Sequence, residues 1–185
     1  LEKFGHEQNP PSQEPFLHQG NMYSPDSLQL TGSLREEARA AVRCNAGLLL
    51  NGTLCSGIAA LGHWREQLPL WASTADWRWT ARFAYQLIER RGTGGGGFRK
   101  MYADFLDELA LLDDEIRSSA LAALMRESAA TWTQLALTFK AASESERFPL
   151  AELEAAITAV EHAGYRYAQA ALQTAQLSMG YTQVR

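Results

Sequence analysis

At 185 residues, with 46% hydrophobic and 21% charged side chains, the chain has the make-up of one globular domain with a real core, and a second domain is not expected. A formal net charge of −4 argues against bulk binding to nucleic acid, and no apolar run approaches the roughly 20 residues that cross a bilayer. Cys44 and Cys55 do not make a disulfide framework, and the polar, proline-rich first 20 residues carry no secretory signal, so a reduced cytoplasmic setting is expected.

Residues 1–32 read as an extended N-terminal arm or linker, because Pro10, Pro11, Pro15 and Pro25 break any regular element. Phe4, Phe16, Leu17 and Tyr23 would let that arm pack somewhere. The helical domain, 33–185, opens at Ser33, which with Glu36 has the spacing of a capping box. Leu34, Ala38, Ala41 and Val42 supply the buried face, and Asn51-Gly52 ends the helix. Ser56 can cap a second helix, whose apolar positions Ile58, Leu61, Trp64 and Leu68 lead up to a stop before Pro69. Cys55 precedes that helix, where a thiol pKa can fall, but His63 lies about 12 Å further along the helix axis at 1.5 Å per residue. Two small half-buried thiols are the simpler expectation.

The third helix is expected over 71–91. Trp77, Ala81, Ala84 and Ile88 lie along one side, and Trp71, Trp77 and Trp79 read as core packing. Arg78, Arg82 and Arg90 recur at helical spacing and form a basic stripe that runs into Arg91 and a glycine corner, Gly92-Thr93-Gly94-Gly95-Gly96-Gly97. Glycine enters left-handed backbone states without steric cost, so this run should end one helix and turn the chain into another. Phe98, Met101, Tyr102, Phe105, Leu109 and Leu112 then fall on one helical face. Gly92, Gly94 and Gly97 satisfy G-x-G-x-x-G, but no strand precedes them, and Phe98-Arg99 stands where a phosphate loop needs Lys and Ser or Thr. What remains is a helix start whose amides are expected to be unpaired, beside Arg90, Arg91, Arg99 and Lys100. Thr93, Gly94, Gly95, Gly96, Gly97 and Phe98, with Arg78, Arg82, Arg90, Arg91, Arg99 and Lys100, are therefore the expected anion- or partner-binding residues. The competing expectation is a corner that only turns the chain, beside a solvated charged face.

The cluster Asp113-Asp114-Glu115 begins the next helix, which carries Leu121, Leu124, Met125, Trp132, Leu135 and Phe139 to about residue 142. Pro149 suits the first turn of the last helix, lined by Leu153, Ile157, Val160, Tyr167 and Ala171, with Gly164 as a kink point and Met179-Gly180 as its end. The fold class expected from these elements is all-α, an irregular bundle of about six helices. No Glu-x-x-His pairs of a di-iron bundle occur, and no nucleophile elbow, zinc-protease helix or kinase signature, so neither a metal nor a catalytic residue is expected.

The segment GTGGGGFRKMYADFLDEL, together with Trp64, the Leu68-Pro69-Leu70-Trp71 step and Asp76-Trp77, resembles the helical C-terminal domain of proteins related to butirosin biosynthesis protein H. The resemblance runs from about Ser33 onward and weakens after Ser143 to helical character alone. It implies an accessory half of an acyltransferase of antibiotic biosynthesis, acting with a papain-like domain or subunit that carries the nucleophilic cysteine. It also implies an acyl carrier protein as partner, with its phosphopantetheine arm as the only cofactor. The helical half of that family has no established catalytic residue, so none carries over. The chain has no papain-like segment ahead of its helices and no initiator methionine, and is expected to be a fragment, a processed product or a separate subunit that is inactive alone. The alternative is a non-catalytic helical module that forms homodimers or binds another protein.

Overall fold

The computed structural model describes residues 32–180, with side chains through residue 174. The described residues form seven α-helices and no strand: α1 (Leu34–Leu50), α2 (Gly57–Ala72), α3 (Trp77–Glu89), α4 (Arg99–Leu112), α5 (Asp114–Ser118), α6 (Leu121–Glu144) and α7 (Leu150–Gly180). The all-α expectation holds. The expected N-terminal arm lies outside the described residues.

Three boundaries differ from the sequence reading, each for a local reason. First, α2 does not stop at Pro69 but runs through it to Ala72. Proline forfeits one helical hydrogen bond, but continuing the helix keeps Leu68 fully buried and packs Trp71 with Trp64 and Phe139. The turn is then closed by the Ser73 and Thr74 amides and hydroxyls, which donate to the carbonyls of Leu70 and Trp71. Second, α3 accordingly begins at Trp77 and not at Trp71. Third, the helix expected from Asp113 to Ala142 is two helices. Asp113 caps α5 by accepting from the amides of Glu115 and Ile116, and Ser119, in an extended conformation, ends it after five residues.

The two longest helices, α6 and α7, are joined by five residues, and both other helix pairs lean on them: α1 and α2 pack on α7, α3 and α4 on α6. The buried side chains separate into two clusters along this hairpin. Leu61 and Leu68 of α2 and Ala81, Ala84 and Ile88 of α3 meet the second half of α6 (Leu135, Phe139) and the first half of α7 (Leu153, Ile157, Val160). Val42 and Ala46 of α1, Ala103, Leu106 and Leu109 of α4 and Ile116 of α5 meet the other halves, at Leu121, Met125, Tyr167 and Ala171. Each fully buried Leu, Ile or Phe contributes about 1.5–3 kcal/mol by leaving water, so both clusters are substantial cores. The chain passes from the first to the second on α6's side through residues 90–98, which is where the glycines are. A buried ion pair also joins elements distant in sequence: Asp113 has a fully buried side chain and accepts from Arg39 Nη2 at 2.6 Å, from Arg39 Nε, and from Arg35 Nε at 3.2 Å.

Trp77 is buried and Trp71 packs on the first core, as read from the sequence; Trp79 is 64% exposed and is not a core residue. It stacks on the next turn's Phe83, ring centroids 5.0 Å apart. No helix of the described residues is long and apolar enough to cross a membrane.

Candidate functional site

The glycine corner follows directly from its sequence. Gly92, Gly94, Gly95, Gly96 and Gly97 all have positive φ, and so does Phe98, at φ 69°. At Gly96 the requirement is double. Its φ is +58°, and an added Cβ would lie 2.9 Å from the Ala129 carbonyl oxygen, so the corner can press against the middle of α6 only without a side chain. Phe98 occupies the same left-handed region with a large side chain, which costs roughly 1–2 kcal/mol, and is 57% exposed.

Three of the amides expected to be unpaired at this corner are bonded within the chain. The Gly95 amide donates to Thr93 Oγ1 (3.2 Å), the Gly96 amide to Glu89 Oε2 (2.9 Å), and the Gly97 amide to the Ile88 carbonyl (3.0 Å). Thr93, itself buried, donates to the same Ile88 carbonyl at 2.7 Å. The corner thus closes the C-terminus of α3, and the anion it holds is the chain's own Glu89. Burial raises the pKa of that carboxyl, but the Gly96 amide, the Thr133 hydroxyl at 3.0 Å and Lys100 Nζ at 3.4 Å outweigh it, so it stays below the usual carboxylate range. Sequence reasoning missed Glu89, although a carboxylate one turn ahead of a glycine run beside lysine is the signal that could have marked it.

The cations expected to converge are spread apart. Arg78 donates to the carbonyls of Ser145 and Glu146, both at 3.0 Å, and Arg82 pairs with Glu144 at 3.1 Å; together they tie the start of α3 to the end of α6. About 18 Å of helix, at 1.5 Å per residue, separates Arg78 from Arg90. Arg90 is exposed, and Arg91 lies over the Phe83 ring at 4.8 Å and donates to Gln86. Lys100 is held by Glu89. Arg99 points elsewhere.

Arg99 is the residue through which the corner reaches a cavity. Its guanidinium lies 4.1 Å from the Trp132 ring centre and donates to the Gly97 carbonyl at 2.9 Å. Among the described residues no carboxylate pairs with it. Burial lowers its pKa to about 10, which leaves it charged at neutral pH but poorly solvated. Arg99 and Trp132 form part of the wall of a partly enclosed cavity of about 410 Å³. Leu49 walls it from α1, Leu54, Cys55 and Ser56 from the turn before α2, Gly57, Ile58, Leu61 and Trp64 from α2, Met125 and Ser128 from α6, and Val160, Gly164 and Tyr167 from α7. It lies where the two cores meet: Leu61 and Val160 belong to one, Met125 and Tyr167 to the other. A second cavity, of about 180 Å³, shares Leu49, Arg99 and Met125 with the first and is bounded by Gly97, Phe98 and Tyr102. The Tyr167 hydroxyl donates to that of Tyr102 at 3.1 Å, and burial raises the pKa of both phenols, so they stay neutral. The larger volume falls in the range of small-molecule sites, roughly 300–1,000 Å³.

Cys44 and Cys55 are exposed, not half-buried, and Cys55 stands at the cavity wall. His63 is 3.8 Å from Glu66. No group of three or more potential metal ligands gathers among the described residues.

A family model described as a domain of unknown function (DUF4872) matches residues 11–171, which takes in the corner, Arg99 and the whole cavity wall. The chain belongs to that family. Neither the curated proteins nor the solved structures gave a significant match. The geometry of this DUF4872 chain therefore carries the functional argument: an apolar chamber with one cation in its wall, and beside it a helix, α3, that exposes aromatic side chains and arginines.

Proposed function

We propose that this chain is the helical accessory domain of an acyl-carrier-protein-dependent acyltransferase, acting with a separate papain-like domain or subunit that supplies the nucleophilic cysteine. The observation that carries the reading is the Arg99 cavity, a chamber of suitable size and polarity to receive the small-molecule end of a transfer reaction. The resemblance of residues 92–109 to the butirosin-H-like helical domain supplies the class of reaction. In this reading carrier-protein docking falls to the exposed face of α3, where Trp79 and Phe83 stack, Leu87 is 46% exposed, and Arg90 and Arg91 add positive charge. Apolar anchors beside cations suit an acidic helical partner that carries a phosphorylated arm.

The test is capture of a phosphopantetheine-bearing acyl carrier protein by the full chain, in parallel with Arg90→Glu and Arg91→Glu. Capture that is salt-sensitive and at least tenfold weaker in the charge-reversed variants supports the reading; absence of capture refutes carrier docking. The same α3 face favours one second reading, a homodimer packed through Trp79 and Phe83. Size exclusion across a dilution series separates the two, since a stable dimer indifferent to carrier protein and to Arg90→Glu would belong to the second.

A further inference from the structure

We infer that the cavity at the junction of the two cores binds an organic anion with an apolar body, its carboxylate on Arg99 and its hydrocarbon against Leu61, Met125 and Val160. This rests on the accessory-domain reading only for what the ligand is in the cell; the binding itself belongs to this chain.

The cavity has no Asp or Glu in its wall, and its one permanent charge is the Arg99 guanidinium. That group has five N–H donors, and among the described residues only Nη1 has an acceptor, the Gly97 carbonyl. Trp132 fixes its plane from one side, so the remaining donors are held in orientation before any ligand arrives. A fixed, poorly solvated guanidinium gains most from a carboxylate, which can take two parallel hydrogen bonds from it. The rest of the wall is largely aliphatic and aromatic and offers little to a sugar or a polyamine. An amine entering the chamber would meet a like charge and find no carboxylate.

The polarity of the chamber thus assigns it to the acyl side of a transfer reaction and not to the amine side. A thioester carbonyl is uncharged, so in that setting the anion recognised by Arg99 sits at the end of the acyl group remote from the thioester. A phosphopantetheine phosphate is the other anion such a reaction would bring, but the polar arm behind it does not match apolar walls.

Cys55, exposed and in the wall, gives a direct readout of occupancy. In a Cys44→Ser chain it is the only thiol, and its rate of labelling by a maleimide reports access to the chamber. Octanoate should slow that labelling saturably, and octylamine and 4′-phosphopantetheine should not. Arg99→Met should weaken octanoate protection by roughly 10–100-fold, the weight of a charge-assisted hydrogen bond. Gly164→Leu should abolish protection while leaving Arg99 in place, because an added Cβ there meets only Ile58 at ordinary contact distance, 3.7 Å, and the longer side chain grows into the cavity. Far-UV circular dichroism of each variant checks folding, and should Arg99→Met fail to fold, the octanoate and octylamine comparison on the parent and the Gly164→Leu result decide. Equal protection by octylamine, stronger protection by 4′-phosphopantetheine, unchanged octanoate protection in either variant, or no octanoate protection at all overturns the inference. Carrier-protein capture without octanoate protection would sink this inference alone; octanoate protection without capture would sink the accessory-domain reading alone.

Discussion

Replacing Asp113 by Asn isolates the electrostatic part of a contact that joins α1 to the α4–α5 junction. The side chain is fully buried, and hydrogen bonds from Arg39, opposed by burial but aided by the Ile116 amide and by the charges of Arg39 and Arg35, hold its pKa at about 2. Against an ordinary value of 3.8, that difference corresponds to about 2–3 kcal/mol of stability. Because the native carboxyl titrates below the unfolded one, this contribution is complete above about pH 5 and is lost as the pH falls through 4 towards 2. Asparagine is as good an N-cap as aspartate, so its side-chain oxygen can keep the bonds from Glu115 and Ile116, and the loss reports the ion pair. Arg39 retains Glu115 at 3.0 Å, which keeps the cost below the roughly 3–5 kcal/mol of a charge stranded without any partner. Urea unfolding followed by tryptophan fluorescence should therefore place Asp113→Asn about 2–3 kcal/mol below the parent at pH 7, with the gap narrowing steadily from pH 5 to pH 3. An unchanged midpoint at pH 7, or a gap that stays constant across that range, would refute the electrostatic account. Arg39→Met should be non-additive with Asp113→Asn if the two side chains act as one unit.

Other consequences concern the corner. Gly96→Ala meets both a left-handed φ and the Ala129 carbonyl, and should cost about 2–5 kcal/mol in the same unfolding assay. Phe98→Gly removes a strained non-glycine residue without removing core, so a gain of up to about 1 kcal/mol is expected; destabilisation would show that the Phe98 side chain holds the smaller cavity together. Glu89→Ala leaves the Gly96 amide without its acceptor and should cost about 1–3 kcal/mol. Glu89→Gln, which can still accept from Gly96 and Thr133 and loses only the pair with Lys100, should cost under about 1 kcal/mol. With its pKa held low, the Glu89 contribution should also fade as the medium becomes acid.

Much of the fold was legible because its signals are local. The apolar spacing of residues 98–112, the glycines that precede it and Asp113 as a helix start all concern neighbours within a turn or two. Pro69 misled because its local penalty is smaller than the packing of Trp71 that lies beyond it, and that packing depends on Phe139, some 70 residues away. The split between α5 and α6 was missed because Ser119 and Ala120 are not helix breakers by composition. The candidate site was legible in part. The corner and Arg99 stood out, but basic residues were grouped by sequence distance, whereas Arg78 and Arg82 serve the far end of α3. The cavity could not be read from any stretch, since its wall is drawn from α1, from the turn before α2 and from α2, α4, α6 and α7.

The division of the interior into two clusters along α6 and α7 has a mechanical side. Each cluster is sealed by its own helices, and the strips of α6 from Met125 to Trp132 and of α7 from Val160 to Tyr167 are the struts that both share. A molecule lodged against those struts would brace one half against the other. Amides in α5 and in α3, to neither of which any wall residue of the chamber belongs, would then exchange with deuterium more slowly together, so that filling one small space stiffens the domain at both ends.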